Sequence, residues 1–111
     1  MATFVHEGKS VDYTPGADVS AGAVVVQGDL VGVVATDIAA NTLGSLTVAG
    51  VFDFPKATGA STGIAAGTKV YWDVADSEAK ADDETGANKY IGKVVKAAAD
   101  ADATVRVRLE Q

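Results

Sequence analysis

The 111-residue chain predicts an all-β fold, a small compact barrel or sandwich of short antiparallel strands with an extended N-terminal arm. Three observations carry that prediction. The apolar residues are small and β-branched, with 21 Ala and 17 Val against 4 Leu and 3 Ile, and Val suits the pleated state. Turn residues recur about every ten positions and cut the chain into strand-length pieces. The C-terminus alternates cleanly, with Val105, Val107 and Leu109 on one side and Thr104, Arg106, Arg108 and Glu110 on the other. That is the pattern of a half-buried strand with a charged outer face.

Residues 1–15 read as an N-terminal arm or first strand pair, and 16–111 as a single β-domain. Strands are expected near 3–7, 10–14, 23–27, 30–36, 46–54, 68–73, 89–96 and 103–109. The strand over 46–54 rests on Leu46, Val48 and, past Gly50, on Val51 or Phe52 with Phe54. The Ala-rich stretch Lys93–Ala103 fits either a helix or a strand ending in a turn. Segment 55–63 and the acidic stretch 76–86 read as loops by composition.

A local motif recurs before the strands: Val19-Ser20-Ala21-Gly22, Ile38-Ala39-Ala40-Asn41 and Ile64-Ala65-Ala66-Gly67. Gly and Asn take positive φ at least cost, so Gly22, Asn41 and Gly67 predict tight turns that launch strands. The apolar first residue would plug the end of the core. A second echo sets Leu30-Val31-Gly32-Val33-Val34 against Tyr90-Ile91-Gly92-Lys93-Val94. Gly32 and Gly92 inside strands suggest bulges or sharp bends. The spacing is irregular, which indicates recurring turn chemistry rather than a solenoid.

Composition excludes several classes of function. Without Cys there are no disulfides, thiolate metal sites or cysteine nucleophiles. A single His leaves little room for imidazole chemistry. A formal charge of −6 opposes nucleic-acid binding, which rests on neutralising phosphates. No run approaches the roughly 20 apolar residues of a membrane span, and no basic segment followed by an apolar stretch opens the chain.

The residues that could carry chemistry do not assemble a motif. Gly8-Lys9-Ser10 matches the tail of a phosphate-binding loop, but Thr3 stands where the first Gly is required. His6 with Ser10 or Asp12 lacks a nucleophile elbow. The acidic stretch lacks the ligand order of a dedicated Ca²⁺ loop, and no pair of carboxylates is singled out. The expectation is therefore no catalytic residue, no metal and no cofactor. Tyr71-Trp72 has two readings, because neighbours on a strand face opposite ways: one ring belongs to the core, and the other is exposed or at an interface.

The order Ala2-Thr3-Phe4-Val5, Val11-Asp12-Tyr13-Thr14-Pro15, Ala21-Gly22-Ala23-Val24-Val25-Val26 and Leu30-Val31-Gly32-Val33 is similar to a known family. It continues through Gly50-Val51-Phe52-Asp53-Phe54-Pro55, Ala66-Gly67-Thr68-Lys69-Val70-Tyr71-Trp72-Asp73, Ile91-Gly92 and the closing strand. The chain resembles the tailed-phage capsid cement or decoration proteins, some of which have been labelled predicted RecA/RadA-type phage recombinases. The incomplete phosphate loop and the short chain oppose the recombinase label. The resemblance implies a structural, non-catalytic head protein that binds the outer surface of the expanded capsid. Its partner would be the major capsid protein, its state on the shell a homotrimer, and its place the virion after synthesis in the host cytoplasm. Nucleic acid and membrane are not expected partners. Phe4, Val5, Val11, Tyr13, Tyr71 and Trp72 are the candidate contact residues. The alternative is a carbohydrate- or surface-binding head-fibre-type module with an aromatic platform of Trp72 and Tyr71 or Tyr90.

Overall fold

The computed structural model describes residues 2–3 and 8–110. Among these residues are nine strands and no helix. They are β1 (Ser10–Tyr13), β2 (Val24–Gln27), β3 (Leu30–Val34), β4 (Gly44–Thr47), β5 (Gly50–Pro55), β6 (Lys69–Asp73), β7 (Glu78–Lys80), β8 (Lys89–Lys96) and β9 (Thr104–Leu109). One sheet has the order β1-β4-β3-β2 and the other β5-β9-β8-β6-β7, with every pairing antiparallel.

The two sheets repeat one topology, because β5-β9-β8-β6 follows the same connection order as β1-β4-β3-β2, and β7 is an addition at one edge. The registers agree as well. Val25 lies opposite Gly32 as Val70 lies opposite Gly92. Val11 and Val34 flank Leu46 as Phe52 and Val94 flank Val107.

The recurring motif builds the ends of both halves. Residues 20–23, 39–42, 65–68 and 99–102 each form a turn in which the fourth amide donates to the first carbonyl, at 3.1, 3.2, 3.3 and 3.0 Å. The third residue has positive φ in the first three turns: Gly22 at 88°, Asn41 at 61° and Gly67 at 86°. The residue before each turn pairs with its counterpart, Val19 with Ile38 and Ile64 with Ala98. The motif residues therefore close the core ends in pairs. The first pair is clasped reciprocally: Asp37 accepts the Ala21 amide at 2.7 Å and Asp18 the Ala40 amide at 2.8 Å. In the second half Asp100 accepts the Gly63 amide at 2.7 Å, and the buried Lys56 ammonium donates to the carbonyls of Ala57, Ala99 and Asp102.

Gly32 and Gly92 hold equivalent places for steric reasons. A Cβ on Gly32 would stand 2.8 Å from the Leu46 Cβ, and one on Gly92 would collide with the Arg108 carbonyl. The register of β6 against β8 shifts between Val70 and Tyr71, beside Gly92.

There are two cores. The larger joins the sheets, with Val31 and Val33 of β3 packed among Phe54, Trp72, Ile91 and Val107. The smaller lies on the other face of the first sheet and fully buries only Val34, Ile38 and Leu46.

Two sequence expectations are corrected, and one left open between helix and strand is decided for strand and turn. The single strand over 46–54 is two strands in different sheets, β4 and β5, parted before Gly50 at φ 124°. The acidic loop contains β7, whose Ala79 is buried against Trp72. The Lys93–Ala103 stretch is strand, bridge and turn, because Val94 belongs to the core and Ala98 pairs with Ile64. Of the expected first strand, residues 4–7 lie outside the described residues.

Candidate functional site

The alternation of β9 divides the second sheet into an apolar inner face and a charged outer one. Val105, Val107 and Leu109 are buried, whereas Arg106 and Arg108 are exposed. Register gathers further cations around them. Lys93 lies opposite both Lys69 and Arg108, and Lys96 lies opposite Arg106. Asp53 completes the second row from β5, opposite Arg106.

Arg106 grips Asp53 from Nε to Oδ1 at 3.0 Å and from Nη2 to Oδ2 at 3.3 Å. This pairing holds the Asp53 carboxyl below the usual carboxylate range and raises the guanidinium. Lys93 and Arg108 share the Glu110 carboxylate at 3.7 and 3.6 Å. Among the described residues no ion pair involves Lys69 or Lys96. Tyr71, on the outward side of β6 with Lys69, meets Tyr90 edge-on with ring centroids 5.7 Å apart. Val51 is 54 % exposed along the β5 edge.

The residues nominated from sequence fall in several places. Trp72 is 6 % exposed, with its ring centroid 6.0 Å from that of Phe54. It is the core ring of the Tyr71-Trp72 pair and is not part of any surface platform. Tyr71 is the half-buried outer member. Val11 and Tyr13 are half-buried against the smaller core from β1. Phe4 and Val5, together with His6, lie outside the described residues. Gly22, Asn41 and Gly67 occupy the turns given above, and Gly92 adjoins the register shift of β6 against β8. Gly32 lies in unbroken register opposite Val25 and marks a close approach to Leu46 rather than a bulge.

Much of the remaining polar chemistry serves structure. Lys80 donates to Asp73 at 2.8 Å and to Asp76 at 2.7 Å. The Lys80 ammonium, followed by the Asp76 amide, brings the Asp73 carboxyl down to about 2. Lys89 pairs with Asp29 at 2.8 Å, which ties the β2–β3 hairpin to β8. Ser10 opens a strand, so no helix N-terminus follows Gly8-Lys9-Ser10 to receive a phosphate. Among the described residues no three His, Asp or Glu side chains are grouped to hold a metal, and no helix is long and apolar enough to cross a membrane.

Sequence reasoning missed the assembly of the outer face. The C-terminal alternation announced Arg106 and Arg108, but Lys69, Lys93 and Lys96 join them only through strand register.

The architecture is that of a small two-sheet β module offering a broad strand face. A family model described as phage cement protein matches residues 5–109, and the chain belongs to that family of capsid-stabilising structural proteins. No curated protein and no solved structure matches the chain.

Proposed function

We propose that the protein binds the outer surface of the expanded phage head and stabilises it, acting as a homotrimer that bridges subunits of the major capsid protein. The observation behind this reading is that the family match runs over residues 5–109 and so takes in both halves of the fold. Expansion and internal DNA pressure load the joints between shell subunits. A trimer contacting several subunits turns modest individual contacts into strong overall attachment through effective concentration. The segment before β1, with Phe4 and Val5, supplies part of the shell contact. An extended segment of this kind adds readily to an open sheet edge. Val11 and Tyr13 lie in β1, paired with β4 and half-buried against the smaller core, and contribute through that edge strand rather than as a free arm. The activity is attachment without catalysis, cofactor, nucleic acid or membrane.

Co-sedimentation with expanded and unexpanded heads, paired with mass measurement of the free protein, tests the reading. Binding to expanded heads alone, with three copies at each site, is the expected result. Equal binding to both forms, or to neither, overturns it. Deleting residues 2–7 tests the arm separately, and unchanged affinity would remove it from the contact.

A further inference from the structure

We propose that the outer face of the second sheet, centred on Lys69, Lys93 and Arg108 with Lys96 and Arg106 beside them, is a docking surface for an acidic protein surface of the capsid shell. The inference rests on the cement reading and identifies the face that does the binding.

The first support is charge. The chain has a formal charge of −6 and nine Lys and Arg residues. Six of these nine stand on this one face, Lys80 of β7 among them, with the carboxylates of Asp53, Asp73, Glu78 and Glu110. Lys80 is taken up by Asp73, and the other five gather around Asp53 and Glu110. Lys69, Lys93 and Arg108 form a row of three cations across β6, β8 and β9. Like charges directly opposed across strands are destabilising, and Glu110 answers two of the three at more than 3.5 Å. The free protein carries that repulsion, and carboxylates brought by a partner relieve it.

The second support is the internal repeat. By register, Lys69, Lys93 and Arg108 correspond to Val24, Val33 and Thr47 of the first sheet. There the same face is already an interface, because Val33 is buried in the joint core and Val24 packs against it. One half uses this face to bind the other half. The second half presents the same face to solvent with charges in place of valines.

The third support is composition. Tyr71 and Tyr90 adjoin the cations, and Arg and Tyr are enriched at protein contacts. A polyphosphate partner fits poorly, because Asp53 and Glu110 sit among the cations and the whole chain is acidic. The same face of a second copy would set cation against cation.

Binding to expanded heads, measured by co-sedimentation across a salt series, provides the test. It compares wild type with Lys93→Glu/Arg108→Glu and with Leu43→Glu/Val74→Glu, a control that adds negative charge at positions 67 % and 58 % exposed elsewhere. Circular dichroism and the thermal midpoint confirm that each variant folds. The face variant is expected to lose at least about tenfold in affinity, with a weaker salt dependence, and the control to stay within about twofold. A folded face variant within twofold of wild type overturns the inference and leaves the cement reading standing. Failure of wild type to bind heads overturns both. If the face variant instead reduces the mass of the free protein and binds heads normally, the face belongs to contact between copies and the inference fails.

Discussion

The two halves of this molecule share strand order, register and turns, yet they are stabilised differently. The first sheet fully buries only Val34, Ile38 and Leu46 on its own side, while Val11, Tyr13, Val19 and Val25 remain half-covered. The second sheet holds Phe54, Trp72 and Ile91 in a core that also receives Val31 and Val33 from the first. The first half therefore depends on its neighbour. The second half supplies the larger core and keeps its outer face free. Repetition of a topology does not fix where its stability comes from; side-chain size at matched positions decides that.

Matched substitutions can break this comparison. Tyr13 and Phe54 occupy corresponding positions in β1 and β5, yet Phe54 is 1 % exposed and Tyr13 is half-buried. Phe54→Ala is expected to cost about 3–5 kcal/mol, the range for a fully buried ring. Tyr13→Ala is expected to cost less than half as much. Denaturant midpoints with unchanged slopes measure both, and equal losses would show that the two cores contribute alike.

The glycines give the next largest contrast. At Gly92 an added methyl overlaps the Arg108 carbonyl outright, whereas at Gly32 it crowds the Leu46 Cβ at 2.8 Å, a much shallower overlap. Gly92→Ala is expected to cost about 3 kcal/mol and Gly32→Ala about 1 kcal/mol, the two ends of the range for overpacking. A Gly32 loss as large as that at Gly92 would mean the first half is no more yielding than the second.

The same contrasts explain what sequence could reveal. The turns around Gly22, Asn41 and Gly67 were legible because positive φ selects residue type. The fourth turn, at 99–102, was not, because Ala101 has no positive φ to advertise it and Ala98 is not β-branched. The break between β4 and β5 was hidden by phase: Leu46, Val48, Phe52 and Phe54 keep one alternation through Gly50, although the chain changes sheets there. β7 is three residues long with one apolar side chain, too short for periodicity to register. The cationic face needed register, since Lys69 and Lys93 are 24 positions apart in sequence and directly opposed in space.

Smaller effects are expected at the turn clasps. Asp18→Ala and Asp37→Ala each free one turn amide in the first half and should each cost about 1 kcal/mol. Asp100 accepts the amides of Gly63 and Ser61 and the second half has no reciprocal partner for it, so Asp100→Ala should cost about twice as much. Thermal midpoints separate the three variants, and a ranking with Asp100→Ala the mildest would show that the second half does not rest on its turn.

The last contrast concerns β7, which has no counterpart in the first half and is held by Asp73 and Lys80. Asp73 titrates at about 2 in the folded protein, below the roughly 3.9 of an unfolded Asp. A depressed carboxylate stabilises the fold above its unfolded value and loses that contribution as pH falls through its folded value. Lys80 is raised and stays protonated throughout this window, so the titration belongs to the Asp73 side of the pair. The stability gap between wild type and Asp73→Asn should be full at pH 6, shrink below about pH 4 and close near pH 2. A gap that stays constant across that range would mean that Asp73 holds β7 through shape and amide contacts alone, and the added strand would then owe nothing to its ion pair.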